Sequence, residues 1–461
     1  MKNKKEMMLK APMVKVVLTM ALPVMMSNLM QTLYNLADTY WVGQYEMMHG
    51  FQGEMLSSIV LIFPAIGMLL ALGVGISTAC ISLISQYIGA NKDEMGKKVA
   101  AQALTFSFLV SIVLGILGAV ATPTIVKLLG AEGEVLKNGI IYLRLMMFGL
   151  PTIFLFFTFN AIKQSQGDTF SPMLFSILSV TLNIILDPVF MIVFNWGIAG
   201  AAIATIFSRG IFILFAVGSL FKDSKRHMKL DFHDLKLNMT VIRHIFQIGF
   251  PASISSIMSS FGFGVLNNFV IGFGVPTLTA FGIGNRITGL ILMPAMGIGN
   301  ALGAIVGTNL GAENVKRAKQ AVKVSFFLSS GILIAGGAII FMNAKGIILQ
   351  FNNVPAVVEQ ATIYLKLIVA TIPLMAAFSV LNGTFIGSGH TKLSLFISAG
   401  RLWLLRIPLI VIFQRYTDLG TNSVWYAMIL SNLIICIIGY IIYKTGVWET
   451  KIVKEPKVKV A

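Results

Sequence analysis

Residues 56–82 read LSSIVLIFPAIGMLLALGVGISTACIS and contain no Asp, Glu, Lys, Arg or His. About 20 mainly apolar residues are enough for an α-helix to cross the hydrocarbon core of a bilayer. This stretch therefore predicts a transmembrane helix, and eleven further stretches meet the same criterion. The twelve predicted spans are residues 14–42, 56–82, 99–123, 138–162, 169–193, 197–220, 242–272, 280–307, 322–343, 359–385, 392–414 and 422–443.

The composition excludes a soluble protein. Of 461 residues, 56% are hydrophobic and only 11% are charged, whereas soluble domains carry about 25% charged residues. The net charge of +17 suggests a nucleic-acid partner at first, but the charges lie in short clusters between the apolar stretches. We therefore expect the lipid bilayer as partner and no nucleic acid.

The basic residues are distributed unevenly between the two sides. Lys and Arg cluster at both termini and in the even-numbered connections, and basic residues favour the cytoplasmic side. This bias predicts that both termini are cytoplasmic and agrees with an even number of spans. The odd-numbered connections hold only Lys127, Lys137, Lys345 and Arg415.

The chain contains a weak internal repeat. Six spans in each half preserve the topology, as expected for halves related by a pseudo-two-fold axis along the membrane normal. Most corresponding residues are 222 positions apart, but a proline pair lies 228 apart, which predicts a few extra residues around 44–54. The pairs are residues 88–91 (IGAN) with 310–313 (LGAE), Asn160 with Asn382, Gly167 with Gly389, Thr169 with Thr391, and Pro23 with Pro251.

The predicted fold class is an all-α integral membrane protein with two six-helix lobes. We place the N-terminal lobe at residues 1–220, a polar cytoplasmic linker at 221–241, the C-terminal lobe at 242–443 and a basic cytoplasmic tail at 444–461. Two parallel repeats with a cleft between them suit alternating access. A channel or a receptor can also contain such repeats.

Asp38 and Asp187 are the only acidic residues well inside the predicted spans. A charge at membrane depth costs about 2.5–3.5 kcal/mol on insertion scales, so these residues are functional candidates, although pairing with an arginine for folding alone is the alternative. Asn183 lies one turn before Asp187 on the same helix face, and Thr205 lies about 12 Å into span six. We expect these four side chains to meet in one cavity of the first half.

Span one also carries a polar stripe, which should face the interior because lipid offers it no partners. Tyr34 lies one turn before Asp38 and is placed to donate a hydrogen bond to its carboxylate. The stripe consists of residues three, four and three positions apart, which share a helix face: Asn28, Gln31, Asn35 and Asp38.

The chemistry of these groups is that of a coupling site. A carboxylic acid removed from water takes up a proton more readily, and a second carboxyl group nearby strengthens the effect. Carboxylate, amide and hydroxyl oxygens also bind hard cations. Both H⁺ and Na⁺ therefore remain open as the coupling ion, and no other cofactor is expected. The predicted Na⁺ ligands are Asp38, Asn183, Asp187 and Thr205.

The second half has no matching acids, and its charges at membrane depth are basic: Arg286, Lys366, Arg401 and Arg406. The halves are therefore chemically specialised. Arg401 and Arg406 are candidates for contact with an anionic group of a substrate or a lipid; snorkelling or pairing is the alternative interpretation.

Several of these segments resemble the multidrug and toxic compound extrusion (MATE) family, and most closely its DinF-like bacterial branch in the MOP superfamily. The resemblance covers nearly the whole chain. It depends on the order and spacing of residues 38–43 (DTYWVG), residues 86–90 (QYIGA), residues 166–168 (QGD), and Asn183 and Asp187 followed by Thr205.

The resemblance implies a V-shaped pair of lobes in a bacterial plasma membrane that exports organic, often cationic small molecules by antiport against H⁺ or Na⁺. It also implies a first-lobe cation site at Asp38, Asn183, Asp187 and Thr205, with Tyr34 beside it. The NorM-like branch carries acidic residues in its second lobe that this chain lacks, so a second-lobe cation site is not expected. We expect the protein to act as a monomer.

Two alternative functions remain. A lipid-linked precursor flippase of the same superfamily would agree with the basic second lobe but not with twelve spans or with the acids of the first lobe. A non-transporting scaffold or receptor is the other. An enzyme is not expected, and without a Gly-Lys-Ser/Thr phosphate-binding motif ATP is not the direct energy source.

Overall fold

A computed structural model describes residues 2–222 and 229–453, and all regular secondary structure in that part of the chain is helical. The α-helices are α1 (Lys2–Lys10), α2 (Met13–His49), α3 (Glu54–Gly89), α4 (Asp93–Leu128), α5 (Gly133–Phe148), α6 (Leu150–Ser165), α7 (Phe170–Pro188), α8 (Gly197–Lys222), α9 (Met239–Ile271), α10 (Val275–Gly311), α11 (Val315–Leu349), α12 (Pro355–Ala370), α13 (Ile372–Gly387), α14 (Thr391–Ala399), α15 (Ile407–Tyr416) and α16 (Asn422–Lys444).

These helices confirm the twelve predicted spans. In the described residues, ten helical stretches are long and apolar enough to cross a membrane by themselves. The other two spans are bent pairs, α5 with α6 at 49° and α12 with α13 at 54°. Each break is followed by proline at the second position of the next helix, Pro151 or Pro373, where the missing N–H costs nothing. The two prolines are 222 residues apart, so both halves are broken at the same place.

The eleventh and fifth spans share a second irregularity, a π-helical segment. In span five it covers Val189–Val193, directly after Asp187-Pro188. In span eleven it covers Gly400–Arg406, just before Ile407-Pro408. Short π-helical segments inside α-helices are rare and often lie at functional sites.

The backbone repeats the turns of the two halves as well as the helices. Asn91 and Glu313, 222 residues apart, follow α3 and α10 and adopt left-handed φ angles of 58° and 59°. The extra residues expected in the first half mainly lengthen α2, which has 37 residues against 33 in α9.

The two lobes exchange the beginnings of their first helices. The start of α2, including Val16 and Met20, packs in one apolar core with Ile298 and Ile305 of α10. The start of α9, including Ile245, packs in the core of the first lobe. The predicted domain limits remain a prediction, and their residues 223–228 and 454–461 lie outside the described part.

The first and last described residues lie across the face of the bundle that holds the start of α2 and the ends of α3 and α10, here called the terminal face. The backbone N–H of Ile452 donates to Gln86 Oε1 there at 3.0 Å. Lys4 Nζ is 2.9 Å from Asp168 Oδ1 in the first half, and Arg317 Nε of the second half donates to the carbonyl oxygen of Met8 at 3.0 Å. Burial raises the pKa of Asp168, but hydrogen bonds from Lys4 and Ser171 outweigh it and hold this pKa below its usual value.

Glycines allow α3 and α10 to touch at the terminal face. A Cβ atom on Gly89 would lie 2.1 Å from the carbonyl oxygen of Thr308, and one on Gly311 would lie 2.0 Å from that of Gln86. These two contacts are equivalent under the 222-residue repeat. Because the neighbouring atoms belong to the backbone, a change of side-chain rotamer cannot relieve the steric clash of a larger residue. The lobes are therefore tightly packed on this face.

We predict that Gly311→Ala lowers the free energy of unfolding by about 1–3 kcal/mol, the usual cost of overpacking a well-packed contact. Gly264→Ala is the matched control, because Gly264 is helical but has no atom within 4 Å of the added Cβ. Denaturant titration in detergent micelles measures both. Equal stability of the two variants would show that α3 and α10 do not approach this closely.

Candidate functional site

The four residues predicted to form a cation site come together in the first lobe. Asp38 lies on α2, Asn183 and Asp187 on α7, and Thr205 on α8. Their exposed fractions are 9%, 0%, 0% and 2%. The packing of α2 against α7, and of α7 against α8, buries these four side chains between the helices.

Hydrogen bonds connect the four side chains. Thr205 Oγ1 lies 3.5 Å from Asp38 Oδ2 and donates to it, and Asn183 Nδ2 donates to Asp187 Oδ1 at 2.9 Å. The carboxyl groups of Asp38 and Asp187 also lie within hydrogen-bonding range of each other. Two carboxylates this close repel each other unless a proton or a cation lies between them.

Several buried oxygens of this site have no hydrogen-bond donor in the described part of the chain. Buried polar atoms are rarely left without a partner, and such groups require an explanation. Here the unpaired atoms are all potential ligands for a proton or a hard cation, so the residues fit either ion. They are Asp38 Oδ1, Asp187 Oδ2, Asn183 Oδ1 and the hydroxyl oxygen of Tyr34.

The polar stripe of span one enters the site only in part. Tyr34 is buried, at 3% exposure, but it lies beside Thr205, and the expected hydrogen bond to Asp38 is absent. Gln31 and Asn35 are exposed, and that their side of α2 faces the interior of the protein rather than lipid stays a prediction. Only the line of α2 that faces α7 is covered, and these two residues lie beside that line.

Sequence reasoning missed Arg209, which lies four residues after Thr205 on the same face of α8. Its guanidinium carbon stacks 4.5 Å from the centre of the Tyr34 ring, and Nη2 donates to Gln31 Oε1 at 3.3 Å. Arg209 also attracts Asp38 electrostatically. Its position inside a predicted span, where a charge is costly, was the available signal.

A cavity of about 330 Å³, lined by apolar and uncharged polar side chains, lies between the lobes. It is lined by residues of both halves that correspond under the repeat, so the pseudo-two-fold axis passes through it. Next to it, Gln164 Nε2 donates across the lobes to the carbonyl oxygen of Asn300 at 2.7 Å. Corresponding lining pairs are Asn160 with Asn382, Thr78 with Asn300, and Asn28 with Ser256.

Arg401 and Arg406 lie apart from the acidic site. Both are in the π-helical segment of span eleven, inside the second lobe, and their exposed fractions are 9% and 3%. Neither lines the central cavity. Of the other predicted bases at membrane depth, Arg286 and Lys366 are exposed.

Known proteins are similar to this chain in sequence. The MatE family model matches residues 23–189 and 251–412. The probable multidrug resistance protein YoeA of Bacillus subtilis is 27% identical, with 93% of each chain covered, and the multidrug export protein MepA of Staphylococcus aureus is 28% identical, with 92% of each covered.

A solved structure shows the same fold. It is an outward-facing multidrug resistance MATE family transporter of the MOP superfamily, with 27% identity, a TM-score of 0.88, and coverage of 95% of this chain and 96% of the other. The family match covers more than half of the chain and both lobes. This protein therefore belongs to the MatE family of multi-pass membrane transporters, whose members are not enzymes.

Proposed function

We propose that this protein exports organic, often cationic compounds by antiport against an entering cation, either H⁺ or Na⁺. The observation that carries the proposal is the buried Asp38–Asp187 pair, in which one oxygen of each carboxyl group lacks a donor among the described residues. The names of the relatives, a multidrug resistance protein and a multidrug export protein, support drugs as substrates. In this proposal the protein acts as a monomer in the plasma membrane, with both termini cytoplasmic and no nucleic-acid partner.

The two states must differ in cation affinity for coupling to occur. A ligand shifts a conformational equilibrium only by its difference in affinity for the two states. In the state described here, Asp38 and Asp187 face each other in a buried site, where a single added positive charge offsets their repulsion. Cation binding therefore stabilises this state. The site must then open toward the cytoplasm for the cation to be released there.

Helix α2 supplies the connection between this site and the lobes. Near one end it carries Asp38 against α7 of the first lobe, and at the other end Val16 and Met20 lie in the core of the second. A change in how α2 packs against α7 is therefore transmitted to the contact between the lobes at the terminal face. Closure of that face in this structure agrees with a substrate path that opens on the opposite side.

The central cavity is the proposed substrate site. Asn160 Oδ1 is buried in it without a hydrogen-bond donor, so it is free to accept a hydrogen bond from an ammonium or amine group of a substrate. Among the described residues, the lining of the cavity combines apolar side chains with uncharged polar ones and includes no Asp, Glu, Lys or Arg, which suits compounds of varied structure rather than one tightly specified ion.

We predict that Asp38→Asn and Asp187→Asn reduce gradient-driven transport to the rate of protein-free liposomes, because an amide can neither exchange the proton nor attract the cation. Purified full-length protein in proteoliposomes is tested with ethidium, a cationic dye, under a pH gradient and a Na⁺ gradient imposed separately. The gradient that drives the wild type identifies the ion.

Asp418→Asn is the matched control, because Asp418 is an exposed acid in the connection after α15, and this variant should transport like the wild type. If Asp38→Asn transported ethidium at the wild-type rate under an imposed cation gradient, the coupling site would be refuted. If neither the pH gradient nor the Na⁺ gradient drove transport by the wild type, antiport would be refuted.

We predict further that Asn160→Leu raises the ethidium concentration at half-maximal transport about tenfold, as expected for the loss of about 1.4 kcal/mol of binding free energy. Ile386→Leu is the control, because Ile386 lines the same cavity and this change conserves volume. The concentration dependence of the initial rate under the driving gradient measures both. An unchanged dependence in Asn160→Leu would remove the cavity as the substrate site.

A further inference from the structure

The second lobe contains a buried basic cluster formed by Arg401 and Arg406. The two guanidinium groups are close enough to repel each other electrostatically. Among the described residues, no hydrogen bond or ion pair joins either guanidinium group to an Asp or Glu, and the hydrogen-bond partners are Met375, Ser431 and Asn432. A buried charge without an opposite charge is expensive, so the cluster requires a compensating partner.

Arg401 has the poorer set of partners. Its Nη1 donates to the thioether sulfur of Met375 at 3.5 Å, and its guanidinium carbon lies 4.1 Å from the centre of the Phe378 ring. Its Nε is buried and has no acceptor. A thioether is a weak acceptor, so this guanidinium has no oxygen partner among the described residues.

Arg406 is held in place by neutral groups. Its Nε donates to Ser431 Oγ at 3.1 Å, and its Nη2 donates to Asn432 Oδ1 at 2.8 Å. These bonds fix the direction of the guanidinium without neutralising its charge. Arg406 is therefore held in one orientation, and Arg401 has unused hydrogen-bond donors. This arrangement suits an anion that accepts hydrogen bonds from Arg401.

This cluster and the acidic site lie in corresponding spans of the two lobes, although not at equivalent positions. Each span contains a π-helical segment near a proline: in span five the segment follows Asp187 and Pro188, and in span eleven it ends at Arg406, two residues before Pro408. The tyrosines of the two sites, Tyr142 and Tyr364, are 222 residues apart. Tyr142 interacts electrostatically with Asp38 and Asp187, as Tyr364 does with Arg406.

We propose that Arg401 and Arg406 form an anion-binding site in the second lobe, the charge-inverted counterpart of the cation site in the first. Its ligand is a singly charged anion, either the carboxylate of an organic molecule or an inorganic halide. Guanidinium groups bind both by charge-assisted hydrogen bonds. This proposal concerns binding and stands whether or not the antiport proposed above is correct.

Thermal unfolding of the purified full-length protein tests the site without requiring transport. The probes are sodium benzoate as a carboxylate, sodium chloride as a halide, and benzamide as a neutral analogue of benzoate. A ligand that binds only the folded state raises Tm in a saturable manner, and we expect a rise of about 2–4 °C. Benzamide should give no rise.

Variants then locate the binding. Arg401→Gln should abolish the rise, whereas the control Arg415→Gln should keep it, because Arg415 is an exposed arginine at the end of the same span. Arg401→Lys keeps the charge but loses the planar donor group, so its half-saturating anion concentration should increase about tenfold. This variant also provides the test if Arg401→Gln does not fold.

The outcomes are distinct. A saturable effect of benzoate alone identifies an organic carboxylate as ligand, and an effect of chloride identifies a halide; both support the site. No saturable effect of either anion on the wild type overturns the proposal. So does an equal effect in the wild type and in every Arg401 variant that folds, since it would reflect salt acting on the whole protein.

Discussion

The cost of holding a charge away from water governs the organisation of this protein. Lipid provides no partners for charged groups, so the interior of each lobe is almost free of them, and the few that remain are concentrated in small clusters. Asp38 and Asp187, with Arg209 beside them, form one such cluster, and Arg401 and Arg406 form another. Each cluster is buried, and each leaves polar atoms without partners.

The two halves thus share a fold but differ in the chemistry of their buried side chains. The two halves share broken spans, π-helical segments, left-handed turns and the backbone contacts of Gly89 and Gly311. They differ in the sign of the charge that each encloses. In the antiport proposed above, a difference in the affinity of two conformations for the bound ion is what biases the balance between them.

The sequence alone predicted much of this arrangement. Twelve spans, the repeat and the meeting of Asp38, Asn183, Asp187 and Thr205 follow from apolar length, spacing and helix periodicity. Long-range packing was not predictable, because periodicity describes one helix and not its neighbours. The exchange of the starts of α2 and α9 between the lobes, the stacking of Arg209 on Tyr34, and the exposure of Gln31 and Asn35 all depend on which helices meet.

Coupling between cation and substrate is the central claim, and thermodynamic linkage requires it to act in both directions. The most direct measurement is therefore the reverse one: an ethidium gradient is imposed across proteoliposomes without any ion gradient, and internal pH and Na⁺ are recorded with fluorescent indicators. The account predicts that one of the two cations moves against the direction of the dye, and that Asp38→Asn abolishes this movement. Dye flux through the wild type without any opposing movement of H⁺ or Na⁺ would contradict it.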